Sequence, residues 1–71
     1  MVFKMNISIV GLNGKNISLK VNVSDTILSA KKKVNQEKAI WKYEINILED
    51  DKTFGDYYIE NGDTIISNFK P

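Results

Sequence analysis

The chain contains no cysteine, no histidine and no arginine, and it has a single proline. Without cysteine, disulfides, thiolate metal sites and thiol nucleophiles are excluded. Without histidine, general acid–base chemistry would fall to carboxylates, lysines or tyrosines. Without arginine, the chain lacks the side chain that nucleic-acid-binding proteins use for bidentate contacts to phosphates and base edges. These absences argue against an enzyme and against a nucleic-acid partner.

Charge and hydropathy argue against further classes of protein. Ten lysines stand against nine acidic residues, so the net charge of +1 gives no basic surplus for nucleic acid. No apolar run approaches the roughly 18 residues that a membrane span requires. The first residues, Met1–Lys4, begin no long apolar segment of the kind found in signal peptides. We therefore expect a cytoplasmic protein without a membrane partner.

The size of the chain predicts one small domain, residues 1–71. The apolar content of 42% is ordinary for a folded domain, and no linker, repeat or low-complexity segment interrupts it. A domain of this length buries only about 60% of the surface that its unfolded chain exposes, so we expect a stability of a few kcal/mol. We expect a monomer. Whether the chain is one domain of a longer protein stays open.

The first third of the chain predicts a β-hairpin over Met5–Val23. Apolar and polar residues alternate on both sides of Asn13-Gly14, which gives each strand one face to bury. The apolar positions are Met5, Ile7 and Ile9 before the turn and Ile17, Leu19, Val21 and Val23 after it. Asn-Gly favours a tight hairpin because such turns need residues that tolerate positive φ.

After Ser24-Asp25-Thr26, the apolar residues no longer alternate with polar ones. These three residue types favour helix N-caps. Ile27, Ala30 and Val34 are spaced three and four apart, which predicts a helix over Ile27–Lys38 with Lys31 on the flank of its apolar stripe. The lysines at positions 31–33 point in different directions around a helix. They indicate a solvated face better than an anion-binding patch.

The second half predicts a third strand over Tyr43–Leu48, with Ile45 and Ile47 on one face and Glu44, Asn46 and Leu48 on the other. The acidic run 49–51 follows it. A calcium loop needs alternating ligands, a central glycine and a closing glutamate, and this run has none of that spacing. We therefore expect a solvated turn, no metal site and no cofactor.

The last segment predicts a compact loop and a closing strand. Thr53–Tyr58 has the character of a short helical turn with Phe54 and Tyr57 facing inward, and Gly62 suits a positive-φ turn position. Thr64–Phe69 closes the sheet. The order strand, strand, helix, strand, strand predicts an α+β domain in which a four-stranded mixed sheet packs on one helix. We expect the first and last strands to pair at its centre.

Two stretches resemble the ubiquitin family. Residues 16–27, NISLKVNVSDTI, are similar to the second strand and helix start of ubiquitin. Residues 52–65, KTFGDYYIENGDTI, are similar to the family's Thr-Leu-x-Asp-Tyr-x-Ile-x-x-Gly-Asp-x-Leu loop. Two motifs in the same order at similar spacing imply the β-grasp fold and a non-enzymatic module that binds proteins.

The departures from the family carry their own implications. Between Val34 and Thr53 the chain is several residues shorter than ubiquitin, which implies loss of the short hairpin after the third strand. The conjugated members end in Gly-Gly, whereas no glycine follows Gly62 here. The resemblance therefore implies a member that is not conjugated through its own C-terminus. Two alternatives stay open: a covalent modifier with an absent or truncated tail, and an accessory protein like those of bacterial type VII secretion, whose loop resembles the last third.

The family's main binding surface maps by register onto a set of residues in this chain. They are Leu12, Asn46, Ile66 and Asn68, with Lys20 at the margin. Asn46 and Asn68 are polar, and replacing an apolar side chain by asparagine forfeits roughly 1.5–3 kcal/mol of burial. We therefore expect the generic readers of ubiquitin to bind weakly or not at all.

Trp41 has two possible roles. It follows the predicted helix in a connecting segment, where it either packs the end of the core beside Ile40 or anchors an interface together with Tyr43 and Tyr58. The sequence leaves both open. The hydropathy pattern also leaves four apolar residues outside the core, namely Val10, Leu12, Leu28 and Ile66.

Overall fold

A computed structural model describes residues 4–68. Within that range one α-helix packs on one face of a five-stranded mixed sheet, whose strands are ordered β2-β1-β5-β3-β4. The elements are β1 (Lys4–Gly11), β2 (Asn16–Asn22), α1 (Ile27–Lys33), β3 (Ile40–Tyr43), β4 (Asn46–Ile47), a 3₁₀ helix (Gly55–Tyr57) and β5 (Thr64–Asn68). The predicted α+β class is confirmed, and the sheet has one strand more than predicted.

The predicted first hairpin is confirmed. β1 and β2 pair antiparallel, with Ile9 opposite Ile17. In the turn, Gly14 has φ +83°, and Gly11 N–H donates to the carbonyl of Lys15 at 2.9 Å. The predicted inward position of Val23 is wrong, because β2 ends at Asn22 and Val23 is exposed in the turn that follows.

β1 and β5 pair at the centre of the sheet, as predicted. They run parallel, with Ile9 opposite Ile65. β3 pairs antiparallel with the other edge of β5. Phe69, the predicted end of the last strand, lies outside the described residues.

Helix α1 begins as predicted and ends early. Thr26 is the N-cap, and its hydroxyl oxygen accepts a hydrogen bond from Ser29 N–H at 3.2 Å. The predicted end at Lys38 is wrong, because the helix stops at Lys33 and Asn35 takes a left-handed conformation with φ 57°. Asparagine is the residue after glycine that most readily ends a helix in this way.

The segment predicted as one strand, Tyr43–Leu48, contains the end of β3, a tight turn and the two residues of β4. Glu44 has φ 55° in this turn, and Tyr43 lies opposite Asn46. The hairpin after the third strand is therefore present, and the expectation that the shorter sequence removes it is wrong. Glutamate at positive φ is uncommon, so the sequence carries no signal for this turn.

The core lies between the sheet and α1. Its buried apolar residues are Met5, Ile7, Ile9, Val21, Ile27, Ala30, Ala39, Trp41, Leu48, Phe54, Ile59 and Ile65. Trp41 lies in β3 with no exposed surface, so of its two possible roles it fills the core. The predicted inward face of the third strand is wrong: Ile45 is 91% exposed at the tip of the turn and Ile47 is exposed, whereas Leu48 is buried.

Lys31 lies deeper than its predicted flank position. The side chain is almost fully buried, and its Nζ lies 2.7 Å from Asp50 Oδ1 and 6.0 Å from the centre of the Trp41 ring. The Asp50 side chain is about half exposed, so water screens the pair. The acidic run 49–51 is exposed as predicted, and Asp50 within it ties the loop to α1.

Candidate interaction surface on the outer sheet face

Four side chains lie in a row across the sheet on the face opposite α1. Val10 pairs with Ile66, Ile66 with Lys42, and Lys42 with Ile47, which spans β1, β5, β3 and β4. Residues directly opposite in neighbouring strands share one face and lie close enough for their side chains to touch. We call these four residues the outer row.

Exposed apolar residues surround the outer row. Ile40 lies opposite Asn68 toward the first-hairpin end of the sheet, and Leu12 follows β1 in the turn. The exposed fractions are 44% for Ile66, 50% for Ile40, 61% for Ile47 and 72% for Leu12. Single exposed apolar residues are normal, whereas adjacent ones mark interaction sites. We define the outer patch as Val10, Leu12, Ile40, Lys42, Ile47 and Ile66.

The structure brings together some of the residues that the sequence assigns to a binding surface. Ile66 and Asn68 lie at the first-hairpin end of the outer face, and Leu12 lies in the turn beyond the end of β1. Lys20 is on the same face, but it pairs with Asn6. The Ser8–Ser18 pair separates it from the level of Val10.

Asn46 does not join this group. It lies opposite Tyr43, whereas its neighbour Ile47 lies opposite Lys42 and belongs to the outer row. Because side chains alternate along a strand, Asn46 belongs to the other face of the sheet. The mapping by register is displaced because it counts through the turn at Glu44 as if the chain continued in one strand.

Four members of the outer patch are not among the predicted site residues: Val10, Ile40, Lys42 and Ile47. The sequence 40–43, Ile-Trp-Lys-Tyr, sits in a segment whose pattern predicts mainly a loop. Had this segment been predicted as a strand with Trp41 buried, Ile40 and Lys42 would have been expected on the outer face, because side chains alternate along a strand. Their approach to Ile66 follows only from the pairing of β3 with β5, which local sequence does not encode.

The outer face carries positive charge and no carboxylate among its described strand residues. Pairing places on it Lys4, Asn6, Ser8, Val10, Asn16, Ser18, Lys20, Asn22, Ile40, Lys42, Ile47, Thr64, Ile66 and Asn68. Only three of these side chains are charged, and all three are lysines. The face is therefore apolar at one end, polar at the other and basic overall.

The turn before β5 is held by hydrogen bonds to two strands. The Tyr43 hydroxyl donates to Asp63 Oδ2 at 2.8 Å, and the same oxygen accepts from Glu60 N–H at 2.7 Å. Gly62, with φ +91° as predicted, donates its N–H to the carbonyl of Asn6 at 2.7 Å. These bonds fix the start of β5 and with it the position of Ile66.

The hydrogen bond to Asp63 raises the pKa of Tyr43 to about 12, since it stabilises the protonated hydroxyl. A group whose pKa is raised in the folded state adds stability that is fully present below its unfolded pKa of 10 and is lost as the pH rises through 12. We therefore expect the free energy of unfolding to fall more steeply between pH 10 and pH 12 in the wild type than in Tyr43→Phe. Urea unfolding across that range measures the difference, and the other titrating groups cancel because both proteins carry them. Parallel pH curves would show that Tyr43 does not donate to Asp63.

The carboxylates near the 3₁₀ helix serve the loop. Asp56 Oδ2 accepts from Thr53 N–H at 2.9 Å, and this hydrogen bond lowers the pKa of Asp56. Asp56 N–H donates in return to the Thr53 hydroxyl at 3.1 Å. These two hydrogen bonds hold the loop in place. Between residues 4 and 68, no three acidic side chains come together to hold a metal ion.

One helix packed on a mixed sheet that begins with a hairpin and joins its first and last strands in parallel defines a β-grasp, ubiquitin-like module. The model of the ubiquitin family matches residues 5–71, and the chain therefore belongs to that family. The resemblance inferred from residues 16–27 and 52–65 is confirmed. No curated protein matches the chain. In the part of the chain that the structure describes, no helix is long and apolar enough to cross a membrane.

Proposed function

We propose that this ubiquitin-family chain is a non-enzymatic module that binds a protein partner non-covalently through the outer patch. One observation carries the proposal: exposed aliphatic side chains from three neighbouring strands share an open sheet face with the half-buried Val10 on β1. Each such side chain contributes about 1.5–3 kcal/mol when it becomes fully buried. Asn68 borders the outer patch, and Lys20 lies at the other, polar end of the same sheet face.

The titratable groups support a binding role over a catalytic one. Perturbed pKa values often mark catalytic sites. Among residues 4–68 the two clear shifts belong to Tyr43 and Asp56, and each group is used in a hydrogen bond that holds a turn. Neither belongs to the outer patch. We therefore assign the polar groups to the scaffold and the apolar groups to the partner.

Affinity capture from cells of the native source tests the proposal with one substitution at two sites. Ile66→Asp places a charge within the outer patch, whereas Ile45→Asp makes the same change at an exposed turn outside it. We expect the proteins captured by the wild type to be retained by Ile45→Asp and absent from the Ile66→Asp capture. Circular dichroism checks that both variants are folded. If folded Ile66→Asp captured the same partners, the outer patch would not be the binding surface.

The same cells test the non-covalent part of the proposal. The protein, epitope-tagged at its own gene, should run as a single species on a denaturing gel. Higher-mass adducts that survive boiling in detergent, together with an intact mass showing a Gly-Gly end, would make the chain a covalent modifier. Cell fractionation in the same experiment tests the expected cytoplasmic location.

A further inference from the structure

Lys42 is the charged member of an otherwise apolar row. It lies between Ile66 on β5 and Ile47 on β4, with Val10 beyond Ile66. Two ion pairs occur within residues 4–68, Lys31–Asp50 and Lys33–Asp25, and Lys42 takes part in neither. A lysine in such a position lays its methylene chain along apolar neighbours and keeps its ammonium group in water.

A partner that covers the outer row removes the water around that ammonium group. Burying a charge without a compensating partner is costly, and a buried lysine in proteins is therefore almost always paired. The outer face provides no carboxylate of its own among its described strand residues. We therefore expect the compensating negative charge to come from the partner.

Building on the proposed function, we propose that the partner is a protein segment in which an aspartate or glutamate is flanked by two apolar side chains. The carboxylate pairs with the Lys42 Nζ, and the flanking side chains pack on Ile66 and Ile47. Lys42 is then the residue that selects the partner, since a segment with a neutral or basic centre leaves the ammonium group unpaired.

Selection from a phage-displayed library of random peptides tests this assignment. The baits are the wild type, Lys42→Glu, and Lys20→Glu as the matched control on the same face. We expect the wild type and Lys20→Glu to select peptides with an acidic residue between apolar ones. Lys42→Glu should select lysine or arginine at that central position.

A synthetic peptide from the wild-type selection then gives the size of the effect. Changing its central acid to the corresponding amide should weaken binding to the wild type about tenfold, which corresponds to about 1.4 kcal/mol. The same change should alter binding to Lys42→Met less than about twofold, because the pairing is absent there.

The outcomes separate this proposal from the one on which it rests. If selected peptides fail to bind Ile66→Asp but show no central acid, or if Lys20→Glu and not Lys42→Glu inverts the selected charge, the outer patch stands and the role of Lys42 is wrong. If the peptides bind Ile66→Asp as they bind the wild type, the proposed function fails as well. Self-association of the wild type that Ile66→Asp abolishes, measured by sedimentation, would make a second copy the occupant and overturn the assignment to an acidic segment.

Discussion

Replacing Trp41 by alanine is expected to abolish the folded state under ordinary conditions. Trp41 lies in β3 and has no exposed surface, so its side chain is part of the core between the sheet and α1. Removing a buried tryptophan side chain costs about 3–5 kcal/mol, because its burial is forfeited and a cavity remains. That is comparable to the whole stability of a domain this small, which is a few kcal/mol. Urea unfolding followed by far-ultraviolet circular dichroism should show no cooperative transition.

Tyr58→Ala is the matched control for Trp41→Ala, because it removes a large aromatic side chain that is 85% exposed. We expect its free energy of unfolding to stay within about 0.5 kcal/mol of the wild type, as for other surface substitutions. A Trp41→Ala protein that unfolds at the wild-type urea concentration would contradict the assignment of Trp41 to the core.

Replacing Gln36 by alanine is expected to lower the free energy of unfolding by about 2–6 kcal/mol. Gln36 Oε1 accepts hydrogen bonds from Trp41 Nε1 at 3.1 Å and from the Ser67 hydroxyl at 2.6 Å. Both donor residues are almost completely buried. Alanine leaves both donors without a partner, and each unsatisfied buried donor costs about 1–3 kcal/mol. The urea midpoint measures the decrease.

Two further variants show whether the acceptor oxygen is the cause. Gln36→Glu keeps an oxygen at the same position and should retain most of the stability. Glu37→Ala removes the exposed neighbouring side chain and should leave the urea midpoint almost unchanged. Equal decreases in Gln36→Ala and Gln36→Glu would mean that the two hydrogen bonds do not contribute as described.

The parts of the fold that the sequence predicts well are those with strong local signals. Alternation and Asn13-Gly14 specify the first hairpin, and Thr26 with the Ile27–Ala30 spacing specifies the start of the helix. In the loop 52–65, Phe54 is buried and Gly62 takes a positive φ, as predicted. In each case residue type and local geometry agree.

The wrong end of the helix and the wrong bounds of the third strand share a physical cause. Asn35 and Glu44 adopt positive φ without glycine, and each turns the chain where the hydropathy pattern continues smoothly. The first ends α1 early, and the second divides the predicted third strand. A one-residue change of phase in a strand moves every later side chain to the other face. That is why Ile47, and not Asn46, lies on the outer face.

Some residues of the candidate surface can be predicted from local sequence, and others cannot. Leu12 lies shortly before the first resembling segment, and Ile66 and Asn68 follow directly after the second. Their positions can therefore be counted from these segments. Ile40, Lys42 and Ile47 join them through the pairing of β3 with β5 and β4, and the β3–β5 pairing joins distant parts of the chain. Only the assembled sheet shows that Lys42 lies within an apolar row, and the chemistry proposed for the partner depends on that position.

Nuclear magnetic resonance mapping of the bound partner tests the central claim most directly. ¹⁵N-labelled wild type is titrated with a captured partner, and the amide shift changes are placed on the sheet. We predict that the largest changes fall on Val10, Ile40, Lys42, Ile47 and Ile66. Changes confined to α1 and the free edge of β2, with the outer row unaffected, would contradict the assignment of the outer patch as the binding surface.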